Sequence, residues 1–192
     1  MKRNEINEKD TWDLTPLYDS DKAFYEALKA FENTKIAEAE ALNGKITLNK
    51  ESLLNAFSWL EKSDIELENL FQYAQLKTSS DSSNVENLKM MSAVTTVYTK
   101  YVSALAFWDS EILSLDEDTF NTYLNDPDFE HLKVTLFRLK RQKEHILDEK
   151  SEKILAAQME VGSKASKIFS DLTNVDFKFG EINGKPLTQS TF

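Results

Sequence analysis

The chain has 192 residues, 41% hydrophobic and 11% aromatic, which suffices for one sizeable core in one domain or two small ones and argues against disorder. Its 33 acidic residues outnumber 23 basic ones, and a formal charge of -10 opposes nucleic-acid binding through a general positive field. There is no cysteine, hence no disulfide framework or thiolate metal site, and the longest purely apolar run, Ala104 to Trp108, falls far short of the ~20 residues of a membrane helix.

Residues 1 to 10 are charged, and Met1-Lys2-Arg3-Asn4-Glu5 leads into polar residues rather than a secretory signal, so a cytoplasmic location is expected. Trp12, Leu14, Leu17 and Tyr18 predict an extended, proline-containing segment whose aromatics anchor the terminus on the first helices. Asp19 or Ser20 is placed to cap a helix from about Asp21 to Leu42, with Phe24, Leu28, Phe31, Ile36 and Leu42 inward and Asn43-Gly44 as its stop. Asn49 starts a second helix whose inner face is Leu53, Phe57 and Leu60. Ser63-Asp64 is expected to interrupt it before Leu67, Leu70, Phe71 and Ala74 resume the period. Thr78 to Asn84 reads as a connection.

Val85, Leu88, Met91, Val94, Tyr98, Tyr101, Leu105 and Trp108 then hold a helical period over roughly seven turns at ~3.6 residues each, which predicts the central core helix. Asp116 to Leu124 predicts a short helix with Phe120 and Leu124 inward. From Asp126 to Asp171 the pattern is helix, sharp turn at Leu147-Asp148, helix. In its first half Phe129, Leu132, Leu136, Leu139 and Ile146 share one face, and Lys133, Arg138, Lys140, Arg141 and Lys143 form a basic opposite side. Pro127 suits the first turn, where its missing N–H removes nothing. The buried face of the second helix is expected to be Leu155, Met159, Gly162, Ser166, Phe169 and Leu172. Beyond Asn174 the alternation of Val175, Phe177 and Phe179 with Asp176 and Lys178 signals a strand, and Asn183-Gly184 a hairpin turn. The expected fold is mainly α: an antiparallel lobe of about six helices over residues 1–173, then a β-hairpin over 174–192.

Catalytic chemistry is hard to place on these residues. Histidine occurs only as His131 and His145. His145 has Asp148 and Glu149 three and four residues on, yet a histidine at a helix C-terminus before a capping aspartate accounts for that spacing better than a metal site. Ser163 falls within a helix and lacks the setting of a nucleophile elbow. The acid pairs Asp109 with Glu111 and Asp116 with Asp118 are read as solvated faces, since 33 acids make chance pairs common. The aromatic stripe Tyr98, Tyr101 and Trp108 reads as core rather than ligand cage. The five cations from Lys133 to Lys143 are the one candidate contact surface, able to attract a peptide C-terminal carboxylate, against the plainer reading of a solvated helix face.

One stretch carries a family resemblance. The run Arg138-Leu139-Lys140-Arg141-Gln142-Lys143-Glu144-His145-Ile146-Leu147-Asp148-Glu149-Lys150-Ser151-Glu152-Lys153-Ile154-Leu155-Ala156 resembles the basic, His-Leu, acidic, Leu-Ala signature in the N-terminal part of the oligoendopeptidase F family, zinc metallopeptidases related to thimet oligopeptidase. Trp12-Asp13-Leu14-Thr15-Pro16-Leu17-Tyr18, Phe107-Trp108-Asp109-Ser110-Glu111-Ile112-Leu113 and Asn174-Val175-Asp176-Phe177-Lys178-Phe179 agree in order, so the resemblance covers nearly the whole chain. It implies a parent enzyme that hydrolyses short peptides with one zinc ion, and a lobe that forms one wall of its substrate channel. The implied partners are a catalytic domain and short peptides, with no nucleic acid and no membrane.

The His-Glu-x-x-His that such chemistry uses is absent here. The zinc ligands are therefore expected beyond Phe192, with no catalytic, cofactor or metal residue in this segment and no activity of its own. Self-association through the exposed inter-domain face near Phe169 is also expected. The alternative is a free-standing helical interaction module without catalytic activity.

Overall fold

The computed structural model describes residue 7 and residues 11–143, 147, 149–173, 177, 180–182 and 184–187. Helix α1 is Asp21–Leu42, capped by Ser20, whose Oγ accepts from the Ala23 N–H at 3.2 Å, and closed by Asn43 and by Gly44 at φ +73°. Helix α2 is Lys50–Ser80, capped by Asn49 through the Ser52 N–H at 2.9 Å. It runs unbroken through Ser63 and Asp64, where the sequence suggested an interruption, because Ser63 packs fully buried and the Asp64 carboxylate accepts from the Tyr101 hydroxyl. Asp64 is thus occupied with a tertiary neighbour instead of competing for the helix backbone, while the buried Ser63 hydroxyl finds no hydrogen-bond partner among the described residues. The connection shortens accordingly, since Thr78 to Ser80 remain helical.

Helix α3 is Val85–Ala104, capped by Asn84. The expected single helix to Trp108 divides at a turn through Leu105, and α4 (Trp108–Leu113) follows. Five contacts fix the mutual directions of the first three helices. Asp21 at the start of α1 meets Tyr73 and Lys77 near the end of α2, and Trp59 reaches Glu38. Tyr101 of α3 reaches back to Asp64 while Thr78 bonds the Asn87 carbonyl. The helices run up, down and up.

The buried face of α3 differs from the expected one. Asn87, Met90, Val94, Val97 and Tyr101 are buried, whereas Val85 is exposed and Leu88, Met91 and Tyr98 are only partly covered. Because α3 packs against α1, α2 and α7, most of its circumference is apolar, and its own periodicity cannot say which stripe lies deepest.

Helix α5 (Glu117–Leu124) is capped by Asp116, and a 3-10 turn over Pro127–Leu132 leads into α6 (Lys133–Gln142). Phe120, Phe129, Leu136 and Leu139 are buried as the pattern predicted. Helix α7 is Glu149–Asp171. Its expected inner face is overturned: Leu155, Met159, Gly162, Ser166, Phe169 and Leu172 are all exposed, and Ala156 is the residue buried where α7 packs on α3. The strands β1 (Glu181–Ile182) and β2 (Lys185–Pro186) pair antiparallel about Gly184 at φ +75°. The strand expected over Val175 to Phe179 falls largely outside the described residues, as do Asn183, His145, Ile146 and Asp148.

Two apolar clusters form the interior. The first joins Phe24, Leu28 and Phe31 of α1 to Leu67, Leu70 and Tyr73 of α2 and to Met90, Val94 and Val97 of α3. Leu14, Leu17 and Tyr18 pack on it, while Trp12, an expected anchor, stays 62% exposed. The second joins Leu53 and Phe57 of α2 to Trp108, Ile112, Phe120, Phe129, Leu136 and Leu139. Helix α2 serves both, its first half in one cluster and its second half in the other.

Candidate functional site

Where the two clusters meet, the surface opens into a groove of about 850 Å³. One wall is α2, with Leu60, Asp64, Leu67, Glu68 and Phe71, which recur at three- and four-residue steps. Its floor is Tyr98 and Tyr101 of α3 with Trp108 of α4, and its far wall is Leu155, Ala156 and Met159 of α7. The aromatic stripe read as core is core, since Tyr101 and Trp108 are buried, yet one edge of each of the three lines the opening.

The two carboxylates on the α2 wall accept from neutral donors, and Asp109 of α4 lines the groove as well. Asp64 accepts from the Tyr101 hydroxyl at 3.0 Å, and Glu68 accepts from the Gln72 side-chain amide one turn on. Burial holds the Asp64 carboxyl above the ordinary carboxylate range, against the opposing effect of the Tyr101 bond. Burial, with the adjacent Asp64 charge, likewise pushes the Tyr101 hydroxyl far above its usual value, so it stays a proton donor. Next to Ser63, Asp64 reads from the sequence as a helix breaker; its place one turn from Glu68 in an apolar stripe is the signal that points to the groove.

The basic side of α6 is divided. Lys133 pairs with Glu130 at 3.5 Å, and Lys140 bonds Asn121 at 2.9 Å and Glu117 at 3.4 Å while lying over the Phe120 ring. Arg138, Arg141 and Lys143 are exposed, and next to them Val134 and Phe137 are exposed as well. The five cations therefore do not converge on one point: two are held by neighbours on the same lobe.

Glu111, read as part of a solvated acid pair, instead clamps the α1–α2 connection. Its carboxylate accepts from the backbone N–H of Gly44 at 2.7 Å, of Ile46 at 2.9 Å and of Thr47 at 3.3 Å, and from the Thr47 hydroxyl. Ile46 is thereby pressed fully buried into the second cluster. Asp116 is likewise no idle surface acid, since it caps α5 through the Thr119 N–H at 2.9 Å. Lys50, bonded to Asp126 and to Asp128 at 2.7 Å, ties the start of α2 to the 3-10 turn.

Among the described residues no group of three or more His, Asp or Glu side chains is placed to hold a metal ion. His131 is exposed on a neighbouring groove beside Leu60, Asp64 and Glu68. No helix is long and apolar enough to cross a membrane among the described residues.

A mainly α lobe with an open, acid-bearing groove and an uncovered apolar helix face is the class of structure defined here. The same fold occurs in the crystal structure of oligoendopeptidase-F from Enterococcus faecium, at a TM-score of 0.76 and 24% identity over 88% of this chain and 34% of that one. The family model described as Oligopeptidase F (Peptidase_M3_N) matches residues 111–179. The oligoendopeptidase F homolog of Borreliella burgdorferi is 34% identical over 100% of this chain and 32% of its own length, and that of Lactococcus lactis subsp. lactis is 31% identical over 95% and 31%. The chain belongs to the oligoendopeptidase F family, corresponds to its N-terminal part, and spans about a third of the length of these curated relatives.

Proposed function

We propose that the chain is the substrate-channel-forming lobe of a cytoplasmic, zinc-dependent oligoendopeptidase that hydrolyses short peptides, and that it has no hydrolytic activity by itself. The observation that carries this reading is an open, acid-bearing groove on a chain that is similar along its whole length to about a third of the length of its oligoendopeptidase F relatives. Zinc, implied by the family resemblance, finds no fitting ligand set on the described residues, so no bond-breaking step is assigned to them. What these residues offer a peptide is confinement, an apolar wall and fixed charge, which limit access and orient what enters.

Two further features fit a lobe that is one side of a larger body. The outer face of α7 carries Ile154, Val161 and Ile168, more than half exposed, beside Phe169 at 67%. They recur at seven-residue steps along one stripe, which suits coverage by another apolar surface. The exposed cations Arg138, Arg141 and Lys143 are proposed as a weak attraction for a peptide carboxylate, with Lys133 and Lys140 diminished in that role by their local partners.

The test is hydrolysis of an internally quenched peptide and zinc content of the purified chain. Neither turnover nor a stoichiometric metal is expected. Turnover that survives repurification, with a mole of zinc per mole of chain, would falsify the assignment of this lobe to the non-catalytic wall.

A further inference from the structure

The α2 wall of the groove sets two carboxylates inside an apolar stripe. Asp64 and Glu68 stand one helical turn apart, side chains about 5–6 Å from each other at their bases, and Leu67 and Phe71 follow each of them at three residues' distance on the same side. The donors that Asp64 and Glu68 bond, the Tyr101 hydroxyl and the Gln72 amide, are neutral. A neutral donor orients a carboxylate and leaves its negative charge in place. No lysine, arginine or histidine lines this groove among the described residues. Asp64 is exposed on the groove wall, and partial desolvation raises its carboxyl against the opposing Tyr101 bond, an effect that a cation entering the groove would reverse. Across the opening Met159 and Leu155 present about half of their surface.

We infer that this groove is a subsite for the free N-terminus of a short peptide, its ammonium shared between Asp64 and Glu68 and its first side chain, aliphatic or aromatic, lodged between Phe71 and Met159. An α-ammonium carries three donors and stands only a bond or two from its own side chain. That matches a wall on which carboxylate and apolar group are near neighbours, whereas a lysine ammonium lies four methylenes from its backbone and would hold its apolar neighbours away from Leu67 and Phe71. The inference rests on the reading of this lobe as a peptide channel wall and adds to it a polarity: peptides enter this part amine first.

The probe is phenylalanyl-leucine amide, with and without N-acetylation, titrated into the purified chain. Binding is followed by calorimetry and by the indole N–H resonance of Trp108, which lines the groove. The free-amine probe is expected to bind about tenfold or more tightly than the acetylated one, the scale of a hydrogen bond to a charged group, and to shift Trp108. Asp64→Asn with Glu68→Gln is expected to shrink that gap to about threefold or less, and Glu68→Gln alone, on the more open side, to narrow it should the double variant fold poorly. Val102→Trp, which fills the groove without changing charge, is expected to remove binding of both probes, with far-UV circular dichroism checking its fold. Equal binding of the two probes, a preference that survives the charge-removing variants, absence of binding, or shifts at other indoles but not Trp108 would each overturn the subsite. Equal binding that still shifts Trp108 leaves the channel-wall reading standing, while that reading falls separately on hydrolysis by the chain alone.

Discussion

Glu111 shows how much one carboxylate can organise. Three backbone N–H groups and a hydroxyl converge on it from a turn 64 to 67 residues earlier in the chain, so a six-residue helix with little strength of its own is fastened to the connection between α1 and α2. Glu111→Ala leaves those donors without their acceptor and is expected to cost about 2–3 kcal/mol in urea unfolding, with Glu111→Gln intermediate; a loss under about 0.5 kcal/mol would mean that water replaces the carboxylate. Two aspartates on α1 and α2 should respond to pH with opposite sign. Burial raises Asp64, so the folded state holds its proton more tightly than the unfolded chain does. The stability this gives is complete below the ordinary value near 3.9 and is lost as pH rises through the folded value. Burial also pushes Asp21 upward, but the bonds from Lys77 and Tyr73 outweigh it and hold Asp21 low, so its contribution is present above the unfolded value and fades on acidification. Burial, and then the bond to Asp21, push the Tyr73 hydroxyl up to about 12. Relative to the native chain, Asp64→Asn should gain stability between about pH 3 and pH 7, and Asp21→Asn should lose it over the same interval. Parallel unfolding midpoints for all three across that range would refute both assignments.

At the scale of elements, α2 and α7 are opposites. Helix α2 is buried on successive faces because it crosses from one apolar cluster to the other, and Leu60 at the crossing packs on both. Helix α7 buries Ala156 against α3 and leaves its richest apolar stripe in solvent. Replacing Ile168 and Phe169 by glutamate should therefore leave the unfolding free energy within about 0.5 kcal/mol per site, as expected for exposed positions. The same change should abolish the concentration-dependent self-association that sedimentation velocity is expected to record for the native chain. A native chain that stays monomeric at all concentrations, or a variant that unfolds, would show that the stripe is not an open face.

For the whole molecule, sharing of α2 and of Leu60 and Leu105 between the clusters predicts one cooperative unfolding transition. Far-UV circular dichroism and tryptophan emission should give superimposable urea curves; two separated midpoints would divide the lobe into independent units. Much of this architecture was legible beforehand. Ser20, Leu42 and Gly44 mark the ends of α1, Asn49 the start of α2 and Asp116 the start of α5, because capping and termination are settled within a few residues of chain. The order of motifs along the chain was enough to indicate the family. Four things were decided only by assembly. The deep stripe of α3 runs through Met90 and not Met91, since a helix held by three neighbours is apolar around most of its girth. Asp64 continues α2 instead of breaking it, and Glu111 serves as a clamp, because their partners lie tens of residues away. The outer stripe of α7 is open, for a periodic row of apolar side chains records that a face favours burial while the tertiary structure alone determines whether anything covers it.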